Sequence, residues 1–164
     1  MINLVEESKE VFYTDDSIVN ISSNDIEELK RKMIISNNNR IRICTHKTKY
    51  DSLHEMIIIH TKNCYVRPHK HINKVESISI LEGKAKIIIF NDDGSVHSEL
   101  TVGQKESGEV FYHRMNINKY HMFIIQSDFL VFHEVTQGPF NKNYTVFPDC
   151  APVDYDQKFI NKFS

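Results

Sequence analysis

The densest run of reactive side chains in this 164-residue sequence is Tyr65-Val66-Arg67-Pro68-His69-Lys70-His71, followed by Glu76 and Gly83. On a strand, residues two apart share a face, so His69 and His71 point the same way, with Arg67 and Tyr65 in phase behind them. Two imidazoles on one face can meet one ion. Glu76, after the turn Ile72-Asn73-Lys74-Val75, can return a carboxylate to that face. A further ligand has to come from a distant strand, and His121, in Asn118-Lys119-Tyr120-His121-Met122-Phe123, opens one. Three nitrogens and one oxygen leave room for water or substrate. Imidazole and carboxylate without thiolate suit one divalent transition metal per chain, Fe, Mn, Ni or Co with five or six ligands, or Zn. A bare His-x-His is more readily a pair of surface residues, with Glu76 a solvated turn acid. The Glu and Gly at fixed spacing favour the metal site.

The elements that must position these residues are mostly short strands. A helix is expected over residues 24–35, where Ile26, Leu29 and Met33 recur at helical spacing behind an Asn24 cap answered by Glu27. Its solvent face carries Glu27 with Arg31 and Glu28 with Lys32 as i,i+4 pairs. After the break at Ser36, strands are expected at 40–45, 55–60, 64–70, 77–81, 84–90, 96–100, 109–113, 122–126 and 129–135. Short strands with tight turns imply a sandwich or a barrel. Asn91-Asp92-Asp93-Gly94 closes the clearest hairpin, and Glu82-Gly83 marks a second turn. Beyond Gly138-Pro139 the period fades into an extended segment, packed across the barrel or a neighbour.

Composition narrows the function classes. With 40% hydrophobic and 26% charged residues, no Trp and five Gly, the chain reads as one soluble globular domain. At this length roughly 70% of the unfolded surface is buried on folding, so no disulfide staple is needed. Twenty Lys and Arg against twenty-two Asp and Glu leave a net charge of −2 with no basic stripe, which argues against nucleic acid as a partner. Cys44, Cys64 and Cys150 suit reduced thiols, and Cys44 and Cys64 read as small buried apolar residues. The acidic N-terminus carries neither a signal peptide nor a membrane anchor, so a cytoplasmic protein is expected.

His69-x-His71-x4-Glu76-x6-Gly83 resembles the first metal-binding motif of the cupin superfamily, and His121 stands where the second motif places its histidine. Asn116 and Asn118 replace the Pro and Gly that usually precede that histidine, and Ile125 stands where Asn often sits. From Arg40 to Pro152 the chain is also similar to the WbuC family of cupin-fold metalloproteins. The similarity is carried by Arg40-Ile41-Arg42-Ile43-Cys44-Thr45-His46, His54-Glu55-Met56-Ile57, the Tyr65–His71 run, Phe90-Asn91-Asp92-Asp93-Gly94, Gly138-Pro139-Phe140 and Ala151-Pro152. The resemblance implies an all-β fold: a small cupin, or double-stranded β-helix jelly-roll barrel, over residues 40–140. An N-terminal arm and helix over 1–39 precede it and an extended segment over 141–164 follows it. It also implies the ligand set His69, His71, Glu76 and His121 and a place in bacterial O-antigen or other surface-polysaccharide assembly.

Around such a metal, Arg67 is expected either to hold a substrate carboxylate or phosphate in two parallel hydrogen bonds, or to pair with Glu55 or Glu134. Arg42 and His46 are expected on a strand beside the motif strand and within reach of substrate. Glu134 would orient a ligand imidazole or line the substrate wall. Tyr65, Tyr112 and Tyr120 are second-rank acids near a metal-bound oxyanion, and His54 and His60 read as solvent-facing or capped. Glu76, Arg67 and Tyr65 are the expected catalytic groups. Three functions are compatible with these residues. The metal can act as a Lewis acid in isomerising or epimerising an activated or anionic sugar. It can serve an Fe(II) dioxygenase of a small acid, or hold ligand in a non-catalytic sugar-binding module. Val11-Phe12-Tyr13 and Ile18-Val19 in the arm, apolar and unclaimed by a lone barrel, predict a homodimer.

Overall fold

The computed structural model describes residues 2–163. In chain order its elements are β1 (Leu4–Ser8), β2 (Val11–Thr14), α1 (Ser23–Ile35), β3 (Arg40–Cys44), β4 (Leu53–Thr61), β5 (Lys70–His71), β6 (Glu76–Glu82), β7 (Lys84–Phe90), β8 (Val96–Gly103), β9 (Tyr112–Met115), β10 (Tyr120–Ile125), β11 (Phe129–Gln137), β12 (Thr145–Val146) and α2 (Gln157–Ile160). One sheet runs β1-β2-β3-β4-β11-β6-β9 and a second runs β10-β7-β8, with β12 and β5 forming a short ladder of their own. All strand pairs are antiparallel except β2 with β3.

Two apolar runs explain the layering. Met56-Ile57-Ile58-Ile59 in β4 and Ile87-Ile88-Ile89-Phe90 in β7 have no polar face, so each strand needs cover on both sides. Between the sheets lies the barrel core, with Met56, Ile58, Ile80, Ile87, Leu130 and Phe132 all buried. Behind the seven-stranded sheet, Leu29 and Met33 of α1 close over Ile41, Ile43, Ile57, Ile59 and Val131. Burying each of those two helix side chains contributes about 2 kcal/mol. Behind the three-stranded sheet, Val146, Phe159 and Phe163 from the C-terminal segment cover Ile88, Phe90, Tyr120 and Met122. The expected extended segment therefore packs on its own barrel, and it ends in a short helix.

The arm is also claimed by its own chain. Phe12, in the stretch expected to seek a second subunit, is 1% exposed beneath α1 because β2 joins the main sheet beside β3. Ile18 is 80% exposed. The helix starts earlier than expected: Ser22, not Asn24, is the cap, because its extended backbone lets Ser22 and Asp25 bond reciprocally in a capping box. Glu27 and Glu28 pair at i,i+3, with Lys30 and Arg31, and Lys30 also reaches Glu82 at 2.6 Å. The expected strand over 64–70 pairs only at its end, His69 as a bridge to His121 and Lys70 with His71 against β12. Pro68 has no N–H to donate there, and the chain from Cys64 instead crosses the barrel rim. Gly83 (φ 86°) and Gly94 (φ 84°) occupy the left-handed turn positions that their motifs anticipated. No helix among the described residues is long and apolar enough to cross a membrane.

Candidate metal centre

His121 opens β10, and alternation along that strand turns His121, Phe123 and Ile125 toward β7's inner face. The main chains of His69 and His121 exchange two hydrogen bonds, 3.0 and 2.8 Å, so the two rings stand side by side with centroids 4.5 Å apart. His71 lies two residues on, its ring centroid 4.9 Å from that of His69. The donor atoms of the three imidazoles all fall within 4.8 Å of one another. Glu76, first residue of β6, completes the cluster. Its Oε1 is 2.9 Å from His121 Nε2 and its Oε2 is 3.3 Å from His71 Nε2.

Each ring is held by its other nitrogen. His69 Nδ1 lies 2.8 Å from the Arg67 carbonyl and His121 Nδ1 3.2 Å from the Lys119 carbonyl. A carbonyl can only accept, so both Nδ1 atoms carry protons and both Nε2 atoms present lone pairs to the centre when the rings are neutral. His71 Nδ1 lies 3.2 Å from Thr145 Oγ1. The Nε2 lone pairs of His69 and His121 and the Glu76 carboxylate, with His71 Nε2 beside them, converge on one region and repel each other unless a cation lies among them. The three histidines can therefore hold a metal ion, and the donor set, all nitrogen and oxygen, fits a divalent transition metal.

The electrostatics of the cluster agree. Burial pushes the His69 imidazole down to about 3, helped by the charges of His121 and His71. Burial also lowers His71, against the pull of Glu76. His121 is raised despite its burial, because Glu76 faces and bonds it. Glu76 is held low in turn: burial opposes its charge, but His121 and then His71 outweigh it. Mutual attraction thus outweighs burial and favours the charged forms of His121 and Glu76 together, and a cation among these donors would compete with the His121 proton.

Beside it lies a second carboxyl. Glu134 follows the core residues Leu130 and Phe132 at intervals of two along β11, which places it on the barrel face. Burial and the charge of Glu76 push it up, while Arg42, His121 and Lys74 pull the other way. Arg42 shares the inward face of β3 with Cys44, and its Nε is buried without a partner among the described residues. His113 of β9 also carries a buried, unpartnered Nε2. A cavity of about 10 Å³ between Glu76, Ile87, His113, Met115, His121 and Phe123 has the volume for one water. The larger cavity, about 340 Å³, lies elsewhere, on the outer face of β7 and β10 among Phe90, Tyr120, Pro148, Phe159 and Phe163.

The sequence profile of a family described as a domain of unknown function (DUF6016) matches residues 21–102, half of the chain. The chain belongs to that family. The matched span includes His69, His71 and Glu76 and stops short of His121. No curated protein matches the DUF6016 chain. Among solved structures it is similar to the capsular polysaccharide assembling protein CapF of Staphylococcus aureus, with a TM-score of 0.55 at 16% identity over 79% of this chain and 33% of that one. It is likewise similar to CapF in complex with the inhibitor 3-isopropenyl-tropolone, with a TM-score of 0.55 at 18% identity over 66% of this chain and 31% of that one. The DUF6016 chain thus spans about a third of the length of CapF. At these identities the likeness is one of fold: the domain is an all-β cupin jelly roll with an N-terminal helix.

The structure of this DUF6016 domain brings His69, His71, Glu76 and His121 together, with Glu134 and Arg42 nearby. It takes the other expected site residues elsewhere. Arg67 pairs with neither Glu55 nor Glu134: its Nη2 bonds the Ala151 carbonyl at 3.1 Å and its guanidinium lies 4.3 Å from the centre of the Phe147 ring. The Tyr65 hydroxyl donates to the Pro152 carbonyl at 2.9 Å. Both grip the C-terminal segment because the strand phase that would have aligned them with the histidines is lost at the rim. Tyr120 faces outward into the third apolar cluster, under Lys70 at 4.3 Å, as its inward neighbour His121 requires. His46 stacks on His54 with centroids 4.0 Å apart, and β3 lies between β2 and β4, not beside β5. His54 and His60 are buried, not solvent-facing, and stand apart from the metal donors. Three further residues stand near the centre that the motif spacing does not indicate: Lys74, His113 and Thr145. The alternation of His113 with buried Met115 carries a signal for one of them; the other two arrive through a turn and a distant segment that periodicity does not reach.

Proposed function

We propose that this domain is a single-metal cupin acting on a small, anionic, sugar-derived substrate by metal-assisted isomerisation or epimerisation. The observation that carries the proposal is the convergence of His69, His71, His121 and Glu76 beside a second, half-buried carboxyl, Glu134, that keeps its proton closer to neutrality than an ordinary glutamate. When bound, the metal supplies Lewis-acid polarisation of a carbonyl or of vicinal hydroxyls. Glu134 is suited to take and return a proton, since burial and Glu76 favour its neutral form while Arg42 and Lys74 favour its anion. Arg42, with an unpartnered buried Nε, supplies a cation for a substrate carboxylate or phosphate. Arg67 and Tyr65 are left out of this chemistry.

A place in surface-polysaccharide assembly is supported by the sequence similarity to the WbuC family, and the fold likeness to a capsular polysaccharide assembling protein runs in the same direction. The test is incubation of metal-loaded protein with nucleotide-activated sugars and sugar acids in deuterated water without oxygen. Solvent deuterium appearing at a sugar carbon, and its loss in Glu134→Gln, is the expected result. Turnover only with oxygen uptake would replace this reading with an Fe(II) dioxygenase. Saturable binding with no exchange in either atmosphere would replace it with a sugar-binding module.

A further inference from the structure

The three imidazoles of the cluster are not held in the same way. His69 and His121 each anchor Nδ1 on the carbonyl two residues earlier in their own segment, Arg67 and Lys119. The equivalent partner for His71 is the His69 carbonyl, and that carbonyl already accepts the His121 amide at 2.8 Å. His71 takes its partner from outside the barrel: Thr145 Oγ1, 3.2 Å from its Nδ1. Thr145 lies opposite His71 in the β5–β12 ladder, and the Ile72 amide bonds the Tyr144 carbonyl at 2.8 Å beside it.

The segment that carries Thr145 is fastened at several points. Tyr65 holds Pro152, and Arg67 holds Ala151 while stacking on Phe147, whose ring lies 6.4 Å from that of His69. Lys86 Nζ bonds the Phe163 carbonyl at 2.7 Å, and Phe159 and Phe163 seal the outer apolar cluster. The residues behind the histidine pair thus tie a strap across β5, and the strap returns one hydroxyl to the ligand that lacks a local partner.

We infer that Thr145 is a positioning residue of the metal centre, and that Tyr65 and Arg67 serve the centre by fastening the strap that carries it. The inference rests on the metal-binding reading of the histidine cluster. For His71 to present a lone pair at Nε2, its proton must sit on Nδ1, and Thr145 Oγ1, a hydroxyl able to accept it, is the group placed to hold that proton and fix the ring. Without that acceptor the ring is free to turn or to change tautomer, and one of four donors is lost for part of the time.

The experiment is competition of Zn(II) between the protein and a chromophoric chelator, together with the visible spectrum of the Co(II) form, for wild type, Thr145→Val, Thr145→Ser and Tyr65→Phe. Valine keeps the shape and removes the acceptor; serine keeps the acceptor. Outer-shell partners of ligating histidines typically set metal affinity by 10–100-fold, so Thr145→Val is expected to weaken Zn(II) binding by roughly tenfold and to alter the Co(II) bands. Thr145→Ser is expected to stay within about twofold of wild type, and Tyr65→Phe to shift in the direction of the valine variant. Wild-type affinity and spectrum in Thr145→Val overturn the inference and leave the metal site standing. Equal losses in the serine and valine variants overturn it as well, since the hydroxyl is then not the cause. A wild-type protein that binds no Zn(II) or Co(II) overturns the metal reading and the inference with it.

Discussion

His69 and His121 belong to segments far apart in the chain, yet each donates its amide proton to the other's carbonyl. That reciprocal pair fixes the spacing of two candidate ligands through the backbone. Side-chain packing then has only to set the ring angles, and the Arg67 and Lys119 carbonyls do so from within the same segments. The centre is therefore fixed by the backbone at His69 and His121 and dependent on a more distant residue at His71.

Metal uptake should release protons. His121 is raised by Glu76, so in the metal-free protein it holds its proton to higher pH than a free imidazole, and a metal must displace that proton. Apparent affinity should fall as pH drops through the raised His121 value and level off above it. Calorimetric titration of Zn(II) in two buffers of different ionisation enthalpy measures the protons released. No buffer dependence at pH 6 would contradict the His121 and Glu76 pairing.

Gly83→Ala should be strongly destabilising. The residue sits at φ 86°, and a Cβ there would lie 2.1 Å from the Phe129 carbonyl oxygen. The left-handed backbone alone costs an L-residue about 1–2 kcal/mol, and the clash adds to it. A fall in thermal midpoint of roughly 5–10 °C is expected.

His60 should make the fold sensitive to mild acid. Burial, followed by the charges of Arg40 and Arg42, lowers its pKa from 6.5 to about 4, and its Nδ1 is buried without a partner. Below pH 6.5 the unfolded chain gains a proton there that the folded chain does not. Stability therefore falls as pH drops from about 6.5 toward 4, by about 3 kcal/mol over the whole window. Urea unfolding of His60→Leu at pH 7 and pH 5 should show a shallower loss than wild type, by about 2 kcal/mol at pH 5.

Ser22→Ala should weaken the start of α1. The Ser22 hydroxyl and amide both engage Asp25 and hold its carboxyl down to about 2, with the Ile2 amide assisting. Loss of a capping serine costs about 1 kcal/mol, read from denaturant midpoints at neutral pH. Asn24→Ala, at the position first expected to cap, should change little.

How much of this was legible in the sequence depends on the range of the interactions. Most strands of the barrel, the two glycine turns and the sandwich-or-barrel class followed from local periodicity, because alternation and φ preference act within a few residues; β1, β2 and β12 did not, since their pairing partners are supplied by distant segments. His69, His71 and Glu76 lie close enough in the chain for spacing to carry them. Tyr120 was misjudged although alternation held the answer, since an inward His121 turns its neighbour outward. The placement of Arg67 and Tyr65 was not legible for a different reason: their partners, Ala151 and Pro152, lie in a segment without periodicity, and the strand phase that tied them to the histidines ends near Pro68. Thr145 was invisible because its role exists only once the strap lies across β5.

The most direct test of the account is elemental analysis of protein purified without a histidine tag or added metal, repeated on His121→Ala and on the His69→Ala, His71→Ala double variant. About one equivalent of a divalent transition metal in wild type is expected, lost in both variants while circular dichroism retains the β-sheet signal. No metal in wild type after reloading with Fe(II), Mn(II), Ni(II), Co(II) and Zn(II), or metal retained in the double variant, would contradict the account.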